Sequence, residues 1–217
     1  MSEARTIELA GERVLLLPEK ALYWPHRKML IIADIHFGKA ASFRAQGIPV
    51  PRGTTTQNLE ALDTLMARYP TEEIVFLGDF LHARAAHASA TLAAMLAWRQ
   101  RHRALRLTLV RGNHDKHAGD PAASLGIEMA DEPHTVGAFS FCHHPDIWGP
   151  GYVLAGHVHP VYLLSSRLDA LRLPCFLAGP TRMVLPSFGA FTGGFVISPG
   201  AGEQVYVSSG EAVHSVR

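Results

Sequence analysis

Apolar positions in the first half of the chain fall into short unbroken runs. MLIIA (29–33), IVFL (74–77) and LRLTLV (105–110) are β-branched or leucine-rich and lack helical spacing, which predicts buried strands. Between the first two, TTTQNLEALDTLMARY (54–69) places Leu59, Leu62, Leu65, Met66 and Tyr69 at intervals of three and four, the period of an amphipathic helix. Thr54 with Gln57 three residues later predicts a capping box at its start. ATLAAMLAWRQRH (90–102) predicts a second helix with a small-residue apolar face. The first half therefore reads β-α-β-α-β, a layered α/β arrangement with a largely parallel sheet. In the second half AFSFCHH, YVLAGHVH, VYLLSS, LRLPCFLA, RMVLPSF, GGFVISP and EQVYVSSG follow one another with Gly and Pro between them, which predicts hairpins or a second sheet. No linker or internal repeat divides the sequence, so residues 1–217 are expected to form one domain.

The polar residues that end these runs are unusual. MLIIA stops at Asp34-Ile35-His36, IVFL at Gly78-Asp79, and LRLTLV at Arg111-Gly112-Asn113-His114-Asp115. AFSF stops at Cys142-His143-His144 and YVLA at Gly156-His157-Val158-His159. Strands lying side by side would bring these groups into one crevice at their carboxyl ends. So much buried polarity cannot stay unpaired, because each unsatisfied group costs on the order of 1–3 kcal/mol and more if charged. A pair of divalent cations offsets the carboxylates and takes the imidazole lone pairs. Strand alternation is expected to point Asp34 with His36, and His157 with His159, to one side.

Composition sharpens this reading in one respect. There are 13 histidines, where ordinary usage gives about five for this length, and histidine is the commonest metal ligand. The net charge of +1 gives no global argument for a polyanionic partner or a membrane surface. No apolar run approaches the length of a membrane span, and MSEARTIELAGERV lacks the apolar core of a signal peptide. Cys142 and Cys175 sit in or beside apolar runs and are expected to be reduced core thiols of a cytoplasmic protein.

Asp34-x-His36, Gly78-Asp79, Gly112-Asn113-His114-Asp115, a histidine near 143 and Gly156-His-x-His159 together resemble the calcineurin-like metallophosphoesterase superfamily. DIHFGKAASFRAQGIPVPRGTT, GDFLH, GHVHP and LPSFGAFTGG are similar to its bacterial branch of DNA ligase-associated metallophosphoesterases. The resemblance implies two mixed β-sheets packed as a sandwich flanked by helices, with a binuclear centre between strand ends. It implies one metal on Asp34, His36 and His159, a second on Asn113, His143 and His157, and Asp79 bridging both. His143 is preferred to His144 as ligand, with His144 left facing substrate. It further implies a Mn²⁺-dependent phosphodiesterase acting as a DNA endonuclease, with a single-strand preference. Implied partners are DNA and the ligase and helicase proteins of a repair cluster; a homodimer is compatible with the sequence.

Two metals would acidify a shared water and clamp a phosphate between them. The donor set lacks thiolate and also suits Zn²⁺ or Fe²⁺. His114, one residue beyond a ligand, is expected to stabilise transition-state charge or to protonate the leaving oxygen. Many family members carry an acid where this chain has His82, so Asp115 or a backbone carbonyl must orient His114 instead; His82 itself is a candidate substrate contact. Lys39, Arg44 and Arg52 closely follow the first ligands, the last two in an apparently irregular loop (SFRAQGIPVPRG) that could run beside the crevice and touch flanking phosphates. Arg99, Arg101, Arg103 and Arg106 read as complements to a helix dipole. Phe188, Phe191 and Phe195 read as packing of a turn and strand. The rival readings are a metal-dependent phosphomonoesterase of small molecules or phosphoproteins and, more remotely, a non-catalytic scaffold of the same fold.

Overall fold

The computed structural model describes residues 3–45, 47–50, 53–83, 89–165 and 169–216. Its first sheet contains β1 (Arg5–Leu9), β2 (Glu12–Leu16), β3 (Leu22–Trp24), β4 (Met29–Ala33), β5 (Glu73–Leu77), β6 (Arg106–Val110) and β7 (Glu128–Ala130), in that spatial order. Strands β1 to β4 are antiparallel neighbours, and β4 to β7 are parallel. Among the described residues, four α-helices lie between the parallel strands: α1 (Lys39–Ala45), α2 (Thr54–Arg68), α3 (Ser89–Arg101) and α4 (Asn113–Ala118). Sequential strand order with crossovers of one hand sends the connecting helices to one face of the sheet. Leu59, Leu62 and Leu65 of α2 and Met95 and Trp98 of α3 accordingly share a core with Leu30, Ile32, Ile74, Phe76, Leu107 and Leu109.

The opposite face of the same strands meets a second sheet. That sheet holds β8 (His134–Val136), β9 (Phe139–Phe141), β10 (Tyr152–Ala155), β11 (Pro160–Ser165), β12 (Ala170–Ala178), β13 (Arg182–Val184), β14 (Phe195–Val196), β15 (Gln204–Ser208) and β16 (Val213–Ser215). Strand alternation explains the division: Met29, Ile31, Ala33, Val75, Leu77 and Val110 point away from the helices and pack on Phe139, Phe141, Leu154, Phe176 and Met183. With one face covered by helices and the other by a sheet, β4 is buried along its whole length, which is why it reads as an unbroken apolar run. β9, β10 and β13 are mutually parallel in this second sheet.

Several expectations change on the structure. The segment before residue 29 contributes three strands that the hydrophobic pattern did not mark; β1 and β2 form a hairpin turned at Ala10-Gly11, both with positive φ. The expected capping box of α2 is absent, because Gly53 is the N-cap and Thr54 already lies inside the helix. The supposed loop after His36 begins with α1, so Lys39 and Arg44 sit on a helix; Arg52 lies outside the described residues. The arginines at the end of α3 and the start of β6 serve structure: Arg99 donates to the Leu125 and His102 carbonyls, Arg101 pairs with Asp63, and Arg106 with Glu73. Of the three phenylalanines, only Phe188 is core, while Phe195 is 66% exposed. Both cysteines are buried free thiols, held near pKa 12 chiefly by burial.

The segment after β13 folds back over the end of β4. Phe188 N–H donates to the Ala33 carbonyl (2.8 Å) and Ser187 Oγ to the Asp34 carbonyl (2.8 Å). Lys20 fastens this segment by donating from Nζ to the Phe188 carbonyl (2.9 Å). Burial lowers the Lys20 pKa to about 8, against about 10.4 in an unfolded chain. Below pH 8 both states hold the proton and the folded state carries the full desolvation penalty. Between about pH 8 and 10 only the unfolded state keeps it, so stability rises with pH in that window. Chemical denaturation of wild type and Lys20→Met from pH 7 to 10 should show the wild type gaining on the variant by roughly 1–3 kcal/mol; parallel curves would contradict this.

Candidate metal centre

The ends of β4, β5 and β6 in one sheet meet the ends of β9 and β10 in the other, so the crevice lies between two sheets. Past the strands, residues 35–37 and 79–82 pair: His36 N–H donates to the Asp79 carbonyl (2.9 Å), Phe37 N–H to Phe80 (2.8 Å) and His82 N–H to Phe37 (3.1 Å). This rung holds Asp34, His36 and Asp79 together. The ligands are not displayed by strand pleating as expected. Among the described residues, eight non-glycine residues have positive φ, and five of them are Asp34 (52°), His36 (50°), Asp79 (47°), His157 (69°) and His159 (52°). Each left-handed residue costs of order 1–3 kcal/mol, and their concentration here marks a site for which the surrounding fold is strained.

Two clusters of ligand atoms result, each within 4.8 Å: Asp34, His36, Asp79 and His159 in one, and His143, His144 and His157 in the other. Asp79 spans them, with Oδ2 3.7 Å from His36 Nε2 and Oδ1 3.5 Å from His143 Nε2. Asn113 joins the second, its Oδ1 2.8 Å from His143 Nε2. The structure therefore brings all seven proposed donors to one place.

Proton accounting shows what these atoms need. His143 Nδ1 donates to the Leu77 carbonyl (3.1 Å), so Nε2 presents a lone pair towards the Asn113 oxygen and towards His157 Nδ1 at 3.0 Å. Burial holds His143 near pKa 4, so it stays neutral and cannot relieve the crowding with a second proton. His36 is likewise pushed far down by burial, and its Nε2 faces His159 Nε2 at 3.4 Å. Asp34 Oδ2 accepts from His157 N–H (2.9 Å), while Oδ1 is buried without a hydrogen-bond partner. Donor atoms crowded this closely, with Asp34 Oδ1 left unpartnered, fit divalent cations, and the mixed N/O set without thiolate suits Mn, Fe or Zn. The carbonyl bond to Nδ1 of His143 is the kind of outer contact that fixes a ligand's tautomer.

Glycines make the approach possible. A Cβ on Gly78 would lie 2.1 Å from His143 Nδ1, one on Gly112 2.5 Å from Asp79 Oδ1, and one on Gly156 2.6 Å from Asp34 Oδ2. The glycines preceding Asp79, Asn113 and His157 are thus the spots where a ligand from another strand passes.

Around the clusters, His114 Nδ1 donates to the His82 backbone carbonyl (3.0 Å), which answers how it is oriented; its Nε2 lies 3.9 Å from Asp79 Oδ2. Asp115 does not touch the His114 ring. Its carboxylate accepts from Phe80, Leu81 and Gly112 N–H, and burial raises its pKa to about 6. His144 is half-buried and donates from Nδ1 to Glu132 Oε1 (2.7 Å), while Glu132 Oε2 also accepts the His143 and His144 amides. The sequence reading missed Glu132, and no local pattern marks it. Lys39 is half-buried near Asp34 and Asp79, with its pKa lowered by burial, and Arg44 is exposed.

The model of the calcineurin-like phosphoesterase family matches residues 27–145. The chain belongs to the calcineurin-like phosphoesterase family. It is therefore a hydrolase of phosphoester bonds, in a family that uses divalent metals. The crystal structure of Pseudomonas putida nuclease MPE is similar over 99% of this chain and 100% of that one, with 45% identity and a TM-score of 0.88. Two further solved structures are distant: a protein of unknown function, AQ665, from Aquifex aeolicus (19% identity, 60% of this chain and 78% of that one, TM-score 0.42) and the phosphoesterase Yfce from E. coli (12%, 87% and 97%, 0.41). Likeness at that level carries no argument here. No curated protein matches the chain. Among the described residues no helix is long and apolar enough to cross a membrane.

Gly112 has ordinary extended φ (−95°), so Gly112→Ala adds only a steric push, chiefly on Asp79 and also on the His143 ring. Isothermal titration with Mn²⁺ should show affinity reduced about 10–100-fold, as for loss of other outer contacts; wild-type affinity would mean that Asp79 is not held where the site needs it.

Proposed function

We propose that this phosphoesterase is a binuclear, Mn²⁺-dependent phosphodiesterase that cuts single-stranded DNA internally, in the cytoplasm and in DNA repair alongside ligase and helicase partners. The observation that carries the nuclease reading is the similarity, end to end at 45% identity, to a protein described as a nuclease. Asp34, His36 and His159 would hold one cation, Asn113, His143 and His157 the other, with Asp79 between them. Held by these residues, two divalent cations would supply an acidified water and electrostatic stabilisation of the phosphate.

The chain's own residues do the rest. Asp34 and Asp79 are fixed by the His157 and His114 amides, so the donors are positioned before any cation arrives. His114 is held by its Nδ1–H, which directs Nε2 into the crevice next to Asp79. As the imidazolium, with a proton on each nitrogen, it donates a proton or hydrogen bond from Nε2 to the departing oxygen. Lys39 and Arg44 on α1 meet flanking phosphates, while His82 and His144 face substrate from either edge. His144 is kept in place by Glu132.

The test offers circular single-stranded, linear single-stranded and duplex DNA with Mn²⁺, before and after chelation and add-back. Internal cuts in the circular single strand, lost on chelation and restored by Mn²⁺, are expected. His114→Ala should retain metal but lose about 10²–10⁴-fold in rate. Faster hydrolysis of p-nitrophenyl phosphate than of bis(p-nitrophenyl) phosphate, with DNA left intact, would support the phosphomonoesterase reading instead.

A further inference from the structure

A row of rings leads away from the metal centre. His114 stacks on His82 (centroids 5.1 Å apart, planes at 25°), and His82 stacks on Phe43 (6.0 Å, 13°). Phe191 then meets Phe43 edge to face (5.8 Å, 85°). The row starts at the group assigned to the departing oxygen and ends at two phenylalanines that are only half-buried. Phe188, three residues before Phe191, shows how this chain treats a phenylalanine used for packing alone: it is 4% exposed.

Both outer rings sit on parts of the chain tied to the metal centre. Phe43 lies on α1, which begins three residues after His36. Phe191 lies in the segment whose Ser187 Oγ donates to the Asp34 carbonyl, and whose Ala190 N–H donates to Asn58 Oδ1 (2.9 Å). Asn58 in turn donates to the Ile35 carbonyl (3.0 Å), so the turn carrying Phe191 is braced against the backbone between two metal ligands. Lys39 precedes Phe43 by one helical turn, the spacing that puts two side chains on the same helix face. Its ammonium lies within the field of Asp34 and Asp79. One face of α1 therefore offers a cation close to the metals and an aromatic ring farther out.

We propose that Phe43 and Phe191 form a stacking corner for a nucleobase next to the scissile phosphate, with Lys39 contacting the phosphate between. The corner takes any base, because every base has a π-face, and it discriminates by strandedness: a base within a duplex has both faces occupied by its neighbours. The proposal deepens the nuclease reading and rests on it.

The test uses the full chain with Mn²⁺ and two single strands of equal length and phosphate charge, oligo(dT) and an oligomer of stable abasic residues. Wild type should cut oligo(dT) with kcat/KM about 5–100-fold higher, the range set by base–aromatic stacking. Phe43→Leu and Phe191→Leu should each bring oligo(dT) down towards the abasic rate, and Phe43→Trp should restore the difference. Thermal unfolding midpoints establish that each variant is folded, and the wild-type comparison needs no variant. Equal wild-type rates on the two strands, or full discrimination in both Leu variants, would overturn the stacking corner and leave the nuclease reading standing. Wild type that cuts neither strand yet hydrolyses bis(p-nitrophenyl) phosphate would overturn the nuclease reading, and the corner with it.

Discussion

Imidazole nitrogens and carboxylate oxygens crowd together where strands of the two sheets end. At the end of β4 and its neighbours, imidazole nitrogens of His36 and His159 face each other at 3.4 Å, and His143 Nε2 faces an amide oxygen at 2.8 Å. A second proton on His36 or on His143 does not relieve the crowding, since burial drives both rings towards the neutral form. Asp79, whose pKa is raised mainly by burial, and the unpartnered Oδ1 of Asp34 add negative potential to the same volume. Cations resolve all of these conflicts together. An assembly of this kind is costly to fold without them, because unpaired buried charge destabilises by several kcal/mol.

The architecture follows from holding such a cluster still. Helices on one face and a second sheet on the other leave β4, β5 and β6 no freedom to shift, and the ligands emerge where those strands stop. Left-handed turns at Asp34, His36, Asp79, His157 and His159 then aim side chains that a regular strand would send to alternate faces. The fold must over-determine these turns for them to persist. It does so with the paired rung of 35–37 against 79–82, the Ser187 bond to Asp34, and glycines where ligands from different strands cross. His114 is served by the same economy of parts: a backbone carbonyl, that of His82, does the orienting for which many relatives of the resembled family use an acid.

Much of this was legible in the sequence, because the change from apolar run to Asp, Asn, His or Gly is a signal along one dimension. MLIIA before Asp34 and YVLA before Gly156 needed no partner to be read. α2 and α3 were legible from their apolar spacing and end within a residue or so of expectation. What was not legible depends on pairs of distant residues or on backbone atoms that carry no residue identity. The carbonyls of Leu77 and His82 fix two histidines and look like nothing in the sequence. Glu132 acts only because the connection from β7 to β8 passes His143 and His144. α1 was hidden by the glycine and prolines that follow it. β1 and β2 were passed over because their apolar residues are mixed with charge, and β3 because three residues are too few to show a period. The pleat argument for Asp34-x-His36 and His157-x-His159 reached the right residues through the wrong geometry.

The account is tested most directly by anomalous diffraction from crystals of this protein grown or soaked with Mn²⁺. It predicts two peaks roughly 3.5–4 Å apart. One should lie within bonding distance of Asp34, His36 and His159, the other of Asn113, His143 and His157, with Asp79 touching both. Crystals in which these side chains stand apart, with manganese bound elsewhere or nowhere, would contradict it.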